Sequence, residues 1–251
     1  AFHEEFYRKV GDPKDLQRTT ATLQLGALIN PAQGIYFSQK RWPDGFARTK
    51  HILFFPQYWG FKMTGEVAAD YTYIGCHTYL WDYEKWDWSS VADDLGVRAL
   101  MPGRIGRSWD ILGSLTPEFA SKTGLSEETI VTLGIHDSNS SLLPYLIKKR
   151  DEEFVLNSTG TWCVAMHPTD EVRFEEEEIG KSVFFNISAF GTPVKTTISP
   201  VGLEFETYTE IFKKLYGGEE LPEFNRALYQ RIINEKGHFI LPSILSGTGQ
   251  F

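Results

Sequence analysis

The stretch Thr129-Ile130-Val131-Thr132-Leu133-Gly134-Ile135-His136-Asp137-Ser138-Asn139-Ser140-Ser141 decides how the rest of the chain is read. Apart from Gly134, its lead-in is apolar or β-branched, the composition of a strand. It then delivers an imidazole and a carboxylate and gives way to small polar residues. A solvated loop has no use for the apolar lead-in, and a plain core strand does not end on a His-Asp pair. The pattern predicts a buried strand that presents Asp137 at its carboxyl end, followed by a short helix from about Ser138 to Leu143. In α/β proteins ligands commonly bind at that place. A carboxylate there can take a proton from a hydroxyl. As a weak base it suits reactions in which positioning does most of the work, such as phosphoryl transfer. The competing reading is that Asp137 only caps the helix.

Working outward, 251 residues give room for one large domain or two modest ones. With 41% hydrophobic and 23% charged residues the chain has the composition of a soluble globular protein. A formal net charge of −8 argues against a general nucleic-acid or membrane-surface binder. Cys76 and Cys163 lie far apart, which excludes a disulfide scaffold and gives no metal-ligand cluster. His136 has no histidine or carboxylate partner at metal-ligand spacing, so no residue is assigned to a metal. No run of about 18 apolar residues suggests a membrane span, and the first residues lack the basic start and apolar stretch of a signal peptide. A cytoplasmic setting is expected. The chain starts on Ala1 and stops at Ser246-Gly247-Thr248-Gly249-Gln250-Phe251, which reads as a loop in mid-course. The expectation is a central piece of a longer polypeptide.

Helical spacing runs through Phe2, Phe6 and Val10, then Leu16, Leu23 and Leu28, broken at Asp12-Pro13. Pro31 to Pro43 reads as a turn-rich segment. A helix is predicted from about His51 to Lys62 with an aromatic face (Phe54, Phe55, Tyr58, Trp59), ended by Thr64-Gly65. In Trp81 to Trp88 rings alternate with acids. This reads as a loop whose rings fill a core, followed by a helix with Ser90 and Asp93 at capping-box spacing. The alternative is a sugar-stacking platform. The charged run Lys148 to Glu153 marks the expected boundary between domains 1–149 and 150–251. Beyond it, strands Phe154–Asn157 and Trp162–Met166 flank Ser158-Thr159-Gly160-Thr161. That turn offers hydroxyls and backbone N–H groups that can cradle phosphate oxygens, and it also fits an ordinary hairpin turn. The P-loop ending Gly-Lys-Ser/Thr is absent. Val183–Phe190 and Val194–Ile198 form a hairpin around Gly191-Thr192-Pro193. Leu203–Tyr216 and Glu223–Asn234 are helical by period, and His238–Leu245 is a short apolar strand.

Several segments, taken in order, resemble one family. They are Pro56-Gln57-Tyr58-Trp59-Gly60-Phe61-Lys62-Met63-Thr64-Gly65-Glu66, Ala69-Asp70-Tyr71-Thr72, Trp86-Asp87-Trp88, Gly134-Ile135-His136-Asp137, Asn157-Ser158-Thr159-Gly160-Thr161-Trp162 and Phe239-Ile240-Leu241-Pro242-Ser243-Ile244-Leu245-Ser246-Gly247. Together they resemble the FGGY carbohydrate kinases. His136 before Asp137, and Trp162 after Gly160-Thr161, are most similar to the rhamnulokinase and fuculokinase branch. The resemblance implies an α/β, actin-like (ribonuclease-H-like) two-domain fold, here incomplete at both ends. It implies ATP-dependent phosphorylation of a sugar hydroxyl, on a ketose or deoxyketose, with ATP and Mg²⁺ as cofactors. The partners would be a small-molecule sugar and ATP, with no nucleic acid and no membrane; a homodimer is compatible with it. Asp137 would be the general base. His136, Tyr36 and Gln33 would contact the sugar, and Ser158, Thr159, Gly160 and Thr161 the ATP phosphates. The family's opening Gly-Thr phosphate loop and its later Gly-Gly adenosine motif have no counterpart in these residues. Two rival readings stay open: a non-catalytic sugar-binding or regulatory protein on the same fold, and a glycoside hydrolase using Asp82, Glu84 and Asp87.

Overall fold

The computed structural model describes residues 2–150, 152–160, 162–218 and 223–236. They fall into two compact units, the first made of residues 1–156 and 166–197, the second of 157–165 and 198–251.

The first unit begins with two helices. Phe2–Val10 buries Phe6 and Val10, and Pro13–Thr20 buries Leu16, Gln17 and Thr20. Asp12 caps the second helix by accepting from the Lys14 amide at 2.8 Å, with Pro13 in its first turn. The helical spacing of Leu23 and Leu28 does not continue it. Ala21 turns left-handed (φ 51°) and closes the helix. Asn30 then holds the segment irregular, accepting from the Leu25 amide at 2.9 Å and donating to the Leu23 carbonyl at 3.2 Å. The turn-rich reading of Pro31–Pro43 is corrected as well, because Pro31–Arg41 is a helix. Proline in a first helical turn lacks only an N–H that would have had no partner there, so Asn30-Pro31 starts this helix instead of breaking it.

These helices pack onto one core with Phe54, Ile74, Tyr79, Leu80, Trp81, Trp88, Val91 and Ile187. Trp81–Asp82 pairs antiparallel with Asp87–Trp88, and Trp81 and Trp88 are buried. Trp81 and Trp88 therefore fill the core, as the plainer reading expects, whereas Trp86 is exposed. The following helix, Ser90–Asp94, has Ser89 at its cap position, not Ser90. The expected box does not form: Ser89 Oγ donates to the Tyr79 carbonyl at 2.6 Å, and Asp93 pairs with Arg98. Earlier in the chain, the helix Phe55–Thr64 is closed by Gly65 at φ 79°. It starts later than His51, with Pro56 in its first turn. It buries Gln57 and Gly60, whereas Phe55, Tyr58 and Trp59 are exposed.

The elements around the His-Asp pair are short. Ala69–Asp70 runs parallel to Ile105–Gly106, and Ile111–Ser114 pairs antiparallel with Ile130–Thr132. The expected buried strand is thus only Ile130–Thr132, and Ile130 is 59% exposed. Burial begins at Leu133, which packs with Ala68 and Leu112. The helix after it runs Asp137–Lys148, twice the expected length, and carries Pro144 inside it. The hairpin of Val183–Ile187 and Pro193–Ser199 forms as read, with Ile187 opposite Pro193 and Val183 opposite Thr197.

In the second unit the helices are Val201–Tyr216, closed by Gly217 at φ 69°, and Arg226–Glu235. The second starts after Glu223 because Asn225 is its cap, accepting from the Leu228 amide at 2.9 Å. The strand expected at His238–Leu245 and the motif Phe239–Gly247 lie outside the described residues. Among the described residues, no helix is long and apolar enough to cross a membrane.

Candidate active site around Asp137

The backbone that delivers Asp137 is fastened to a buried carboxylate. Asp70 is fully buried at the end of its strand and caps the short helix Tyr71–Ile74. Its Oδ2 accepts from the Thr72 amide at 2.9 Å and, in a short contact, from the Thr72 hydroxyl. Its Oδ1 accepts from Gln57 Nε2 at 2.8 Å. Ser108 Oγ adds a long bond at 3.4 Å. Burial pushes the Asp70 carboxyl up to about 6, and these donors hold it below what burial alone would give. The Thr72 hydroxyl accepts in turn from the His136 amide at 2.9 Å. Gln57 Nε2 also reaches the Leu133 carbonyl at 3.4 Å, and the Gly134 amide donates to the Ser108 carbonyl at 3.2 Å. Gly134 takes φ 84°, a left-handed turn suited to glycine. The lead-in is therefore held on both sides before the helix begins.

His136 occupies the helix cap position without a side-chain cap bond, and Asp137 is the first helical residue. The Asp137 side chain is 93% exposed. Its Oδ1 accepts from the Ser138 amide at 2.6 Å, so the carboxylate satisfies one open N–H of the helix start. Among the described residues no hydrogen bond reaches its Oδ2. Capping and availability to a substrate thus coexist in this residue. His136 Nδ1 lies 3.1 Å from Asp137 Oδ1, yet off the line its ring N–H would need for a hydrogen bond. The His136 ring is mostly buried and sits edge-on to Tyr73, with centroids 5.2 Å apart. Burial lowers its basicity, and the neighbouring Asp137 charge opposes that.

Two further residues stand beside it that sequence spacing did not offer. Cys76 Sγ, one ring nitrogen of His77 and one of His136 lie within 4.8 Å of one another. Burial pushes the Cys76 thiol up and brings His77 down to about 4. Gln33 and Tyr36 are placed differently. Both are buried in the helix Pro31–Arg41. Gln33 Nε2 donates to the Tyr7 hydroxyl at 2.8 Å, and the Tyr36 hydroxyl donates to Glu5 at 2.9 Å. These are core and helix-to-helix contacts, and the structure does not gather them around Asp137. Asp82 and Asp87 are likewise occupied: Asp82 accepts from the Glu84 and Lys85 amides at 3.0 and 2.9 Å, and Asp87 pairs with Arg98. That local work occupies two of the three acids the glycosidase reading would use.

In the second unit, Ser158 and Thr159 are exposed at the end of the strand Leu156–Thr159. The Gly160 amide donates to the Trp162 carbonyl at 2.9 Å, closing a hairpin turn. Thr161 lies outside the described residues. An open cavity of about 890 Å³ in the first unit is walled by Ile147, Arg150, Glu153, His167 and Phe190 among others, and Asp137 is not part of it.

Known structures carry this architecture. A carbohydrate kinase from Novosphingobium aromaticivorans superposes with a TM-score of 0.79 and 29% identity, covering 99% of this chain and 54% of that one. A ligand-bound xylulose kinase from Lactobacillus acidophilus superposes at a TM-score of 0.68 over 82% of this chain and 41% of its own, at 15% identity. The mixed α/β fold is accordingly that of the actin-like, two-domain sugar kinases. The N-terminal domain of the FGGY family of carbohydrate kinases matches residues 6–144 and the FGGY C-terminal domain matches 151–251, so the chain belongs to the FGGY family. Among curated proteins, a rhamnulokinase from Halalkalibacterium halodurans is 29% identical over 137 residues, and a xylulose kinase from Bacillus subtilis 31% identical over 145. These alignments cover 54% and 57% of this chain and 28% of each relative. The chain spans about half the length of its solved relative from Novosphingobium.

Proposed function

We propose that the whole protein transfers the γ-phosphoryl group of ATP to a hydroxyl of a ketose or deoxyketose, of the rhamnulose, fuculose or xylulose type. Family membership and the rhamnulokinase and xylulose kinase relatives support this substrate class. The observation that carries the reading is Asp137: an exposed carboxylate on the first turn of a helix, reached by a backbone that buried Asp70 holds through Thr72.

In this reading Asp137 accepts the hydroxyl proton as the sugar oxygen bonds to the γ-phosphorus. The bond from that phosphorus to the β-phosphate oxygen breaks, leaving ADP. Mg²⁺, when bound with ATP, offsets the phosphate charge. His136 orients the sugar. The exposed hydroxyls of Ser158 and Thr159 fit phosphate oxygens as donors, with Thr161 assigned beside them from its motif. The Gly160 amide is committed to its turn, and the use of glycine there is the bare surface it leaves, since a Cβ on it would meet nothing within 4 Å. The proposed division is a sugar-binding part over 1–149 and the start of a nucleotide-binding part over 150–251. This reading assigns Gln33 and Tyr36 no role, because their side chains bond Tyr7 and Glu5.

The test is Asp137→Asn in the full-length protein, followed by ADP release with each ketose. Loss of a general base costs about 10²- to 10⁴-fold in turnover. Sugar binding by calorimetry should stay within a few-fold of wild type. Undiminished turnover removes Asp137 from the base role. Sugar binding without any turnover in the unmodified full-length protein would favour a non-catalytic binding protein.

A further inference from the structure

Cys76, His77 and His136 bring three donors of a kind that borderline transition metals prefer into one buried cluster. Cys76 is 2% exposed, and the His136 side chain 12%. The two imidazole rings stand nearly perpendicular, at 76° with centroids 6.0 Å apart. Among the described residues, Nδ1 of each is buried without a well-formed hydrogen bond, and Asp137 Oδ1 lies 3.1 Å from that of His136. Buried polar nitrogens with poorly satisfied hydrogen bonding are costly, and one ring nitrogen of each histidine lies within 4.8 Å of the Cys76 thiol. The backbone is shaped to assemble the cluster. Adjacent side chains diverge in a helix or a strand. His77 instead takes φ 43°, a left-handed conformation disfavoured for residues other than glycine. Asn30, itself fully buried, holds it there by donating to the His77 carbonyl at 2.8 Å. His136 arrives from a segment 60 residues away, fixed by the Thr72 hydroxyl on its amide.

We propose that Cys76, His77 and His136 form a site for a divalent ion of the Zn²⁺ class, with three protein ligands and a fourth position on the Asp137 side. Cysteine with two histidines is a ligand set that Zn²⁺ accepts in tetrahedral geometry with one position left for water or an added oxygen ligand. Donors around tetrahedral Zn²⁺ sit roughly 3.5 Å apart, given bonds of about 2.0–2.3 Å. The present separations, within 4.8 Å, close to that by side-chain rotation of about an ångström. On binding, the Cys76 thiol gives its proton to the buffer and the thiolate takes the ion. The inference gives the His136 ring to the ion and not to the sugar, and it stands whether or not Asp137 is a catalytic base, because it is read from metal binding alone.

The experiment is a titration of the metal-stripped full-length protein with Co²⁺, then Zn²⁺. The expected result is one equivalent of Co²⁺ with a thiolate-to-cobalt charge-transfer band and tetrahedral visible absorption, displaced stoichiometrically by Zn²⁺. Cys76→Ala should remove the charge-transfer band. His77→Gln should weaken Zn²⁺ binding by at least about 100-fold, more than the loss of an outer partner of a metal ligand costs. Cys163→Ala and His167→Asn should leave both unchanged, with circular dichroism confirming that each variant is folded. Absence of the band, a band that survives Cys76→Ala, or affinity untouched by His77→Gln would each overturn the site. If Cys76→Ala fails to fold, His77→Gln decides alone, since His77 is less buried than Cys76.

Discussion

At the scale of single residues, Asp70 governs the lead-in to Asp137, and its protonation leaves a measurable trace. A carboxyl whose folded pKa is raised contributes stability at low pH that is lost as pH rises through the folded value, here about 6. Asp70→Asn removes that dependence. Wild-type stability relative to Asp70→Asn should therefore be greater at pH 5 than at pH 7.5 by about 1 kcal/mol, read from urea unfolding at both values. A difference that does not change with pH would show that Asp70 does not titrate in this window. Thr72→Val tests the next link. It leaves the His136 amide and part of Asp70 without partners, which costs about 1–3 kcal/mol in the same measurement; Thr72→Ser, which keeps the hydroxyl, should recover most of the loss. Asp137 was legible in sequence because an apolar lead-in ending on His-Asp has few other uses. Asp70 was not legible in this role. It matters through a parallel pairing of Ala69 with Ile105 and through a hydroxyl relay to residue 136, and neither leaves a local pattern.

At the scale of elements, what could be read depended on whether a local signal had one meaning or two. Gly65 and Gly217 each follow an apolar-periodic run, and both helices end there. Asn30-Pro31 carries a signal with two meanings, turn or first helical residue, and only packing of Ile35 and Tyr36 into the core chose the helix. The aromatic face read in the helix Phe55–Thr64 is exposed at Phe55, Tyr58 and Trp59, and the buried positions are Gln57 and Gly60. The reason is close approach: a Cβ on Gly60 would lie 2.7 Å from Leu112 Cδ2. Gly75, which closes Tyr71–Ile74, is tighter still, with its would-be Cβ 2.4 Å from Cγ1 of Ile187 in the hairpin. Gly75→Ala should thus cost about 1–3 kcal/mol by overpacking, seen as a lower melting temperature. Ile187→Val in the same chain, which removes a methyl group from the contact, should return part of it, a non-additivity expected of touching residues. Simple additivity of the two substitutions would place the strain elsewhere.

At the scale of the whole molecule, the charged run Lys148–Glu153 suggested where one part of the chain ends, but it says nothing about what later residues pack on. Residues 166–197 belong to the same compact unit as the N-terminal helices, and a side chain more than 160 residues distant helps to hold them. Gln17 is 2% exposed. Its Nε2 donates to the Val183 carbonyl at 2.7 Å, and its Oε1 accepts from the Gly180 amide at 2.7 Å. The Phe185 amide donates to the Ala21 carbonyl at 3.0 Å just beyond, and the Tyr83 hydroxyl to the Phe185 carbonyl at 2.9 Å. One amide side chain thus satisfies a donor and an acceptor of a distant turn at once, using its carbonyl oxygen and its NH₂ group. An apolar replacement of similar length strands both groups in a buried place, and a stranded group costs about 1–3 kcal/mol. Gln17→Met should lower stability by at least that much, while Gln39→Met, which removes a single part-buried bond to the Leu95 carbonyl, should cost less. Hydrogen exchange separates a local from a global effect. The Gly180 amide loses its only side-chain acceptor in Gln17→Met, so it should exchange faster than the remaining hairpin amides, beyond what the drop in overall stability explains. If Gly180 keeps its protection and stability changes by less than about 0.5 kcal/mol, the hairpin is held to the N-terminal helices by apolar burial alone, and Gln17 is only a passenger in it.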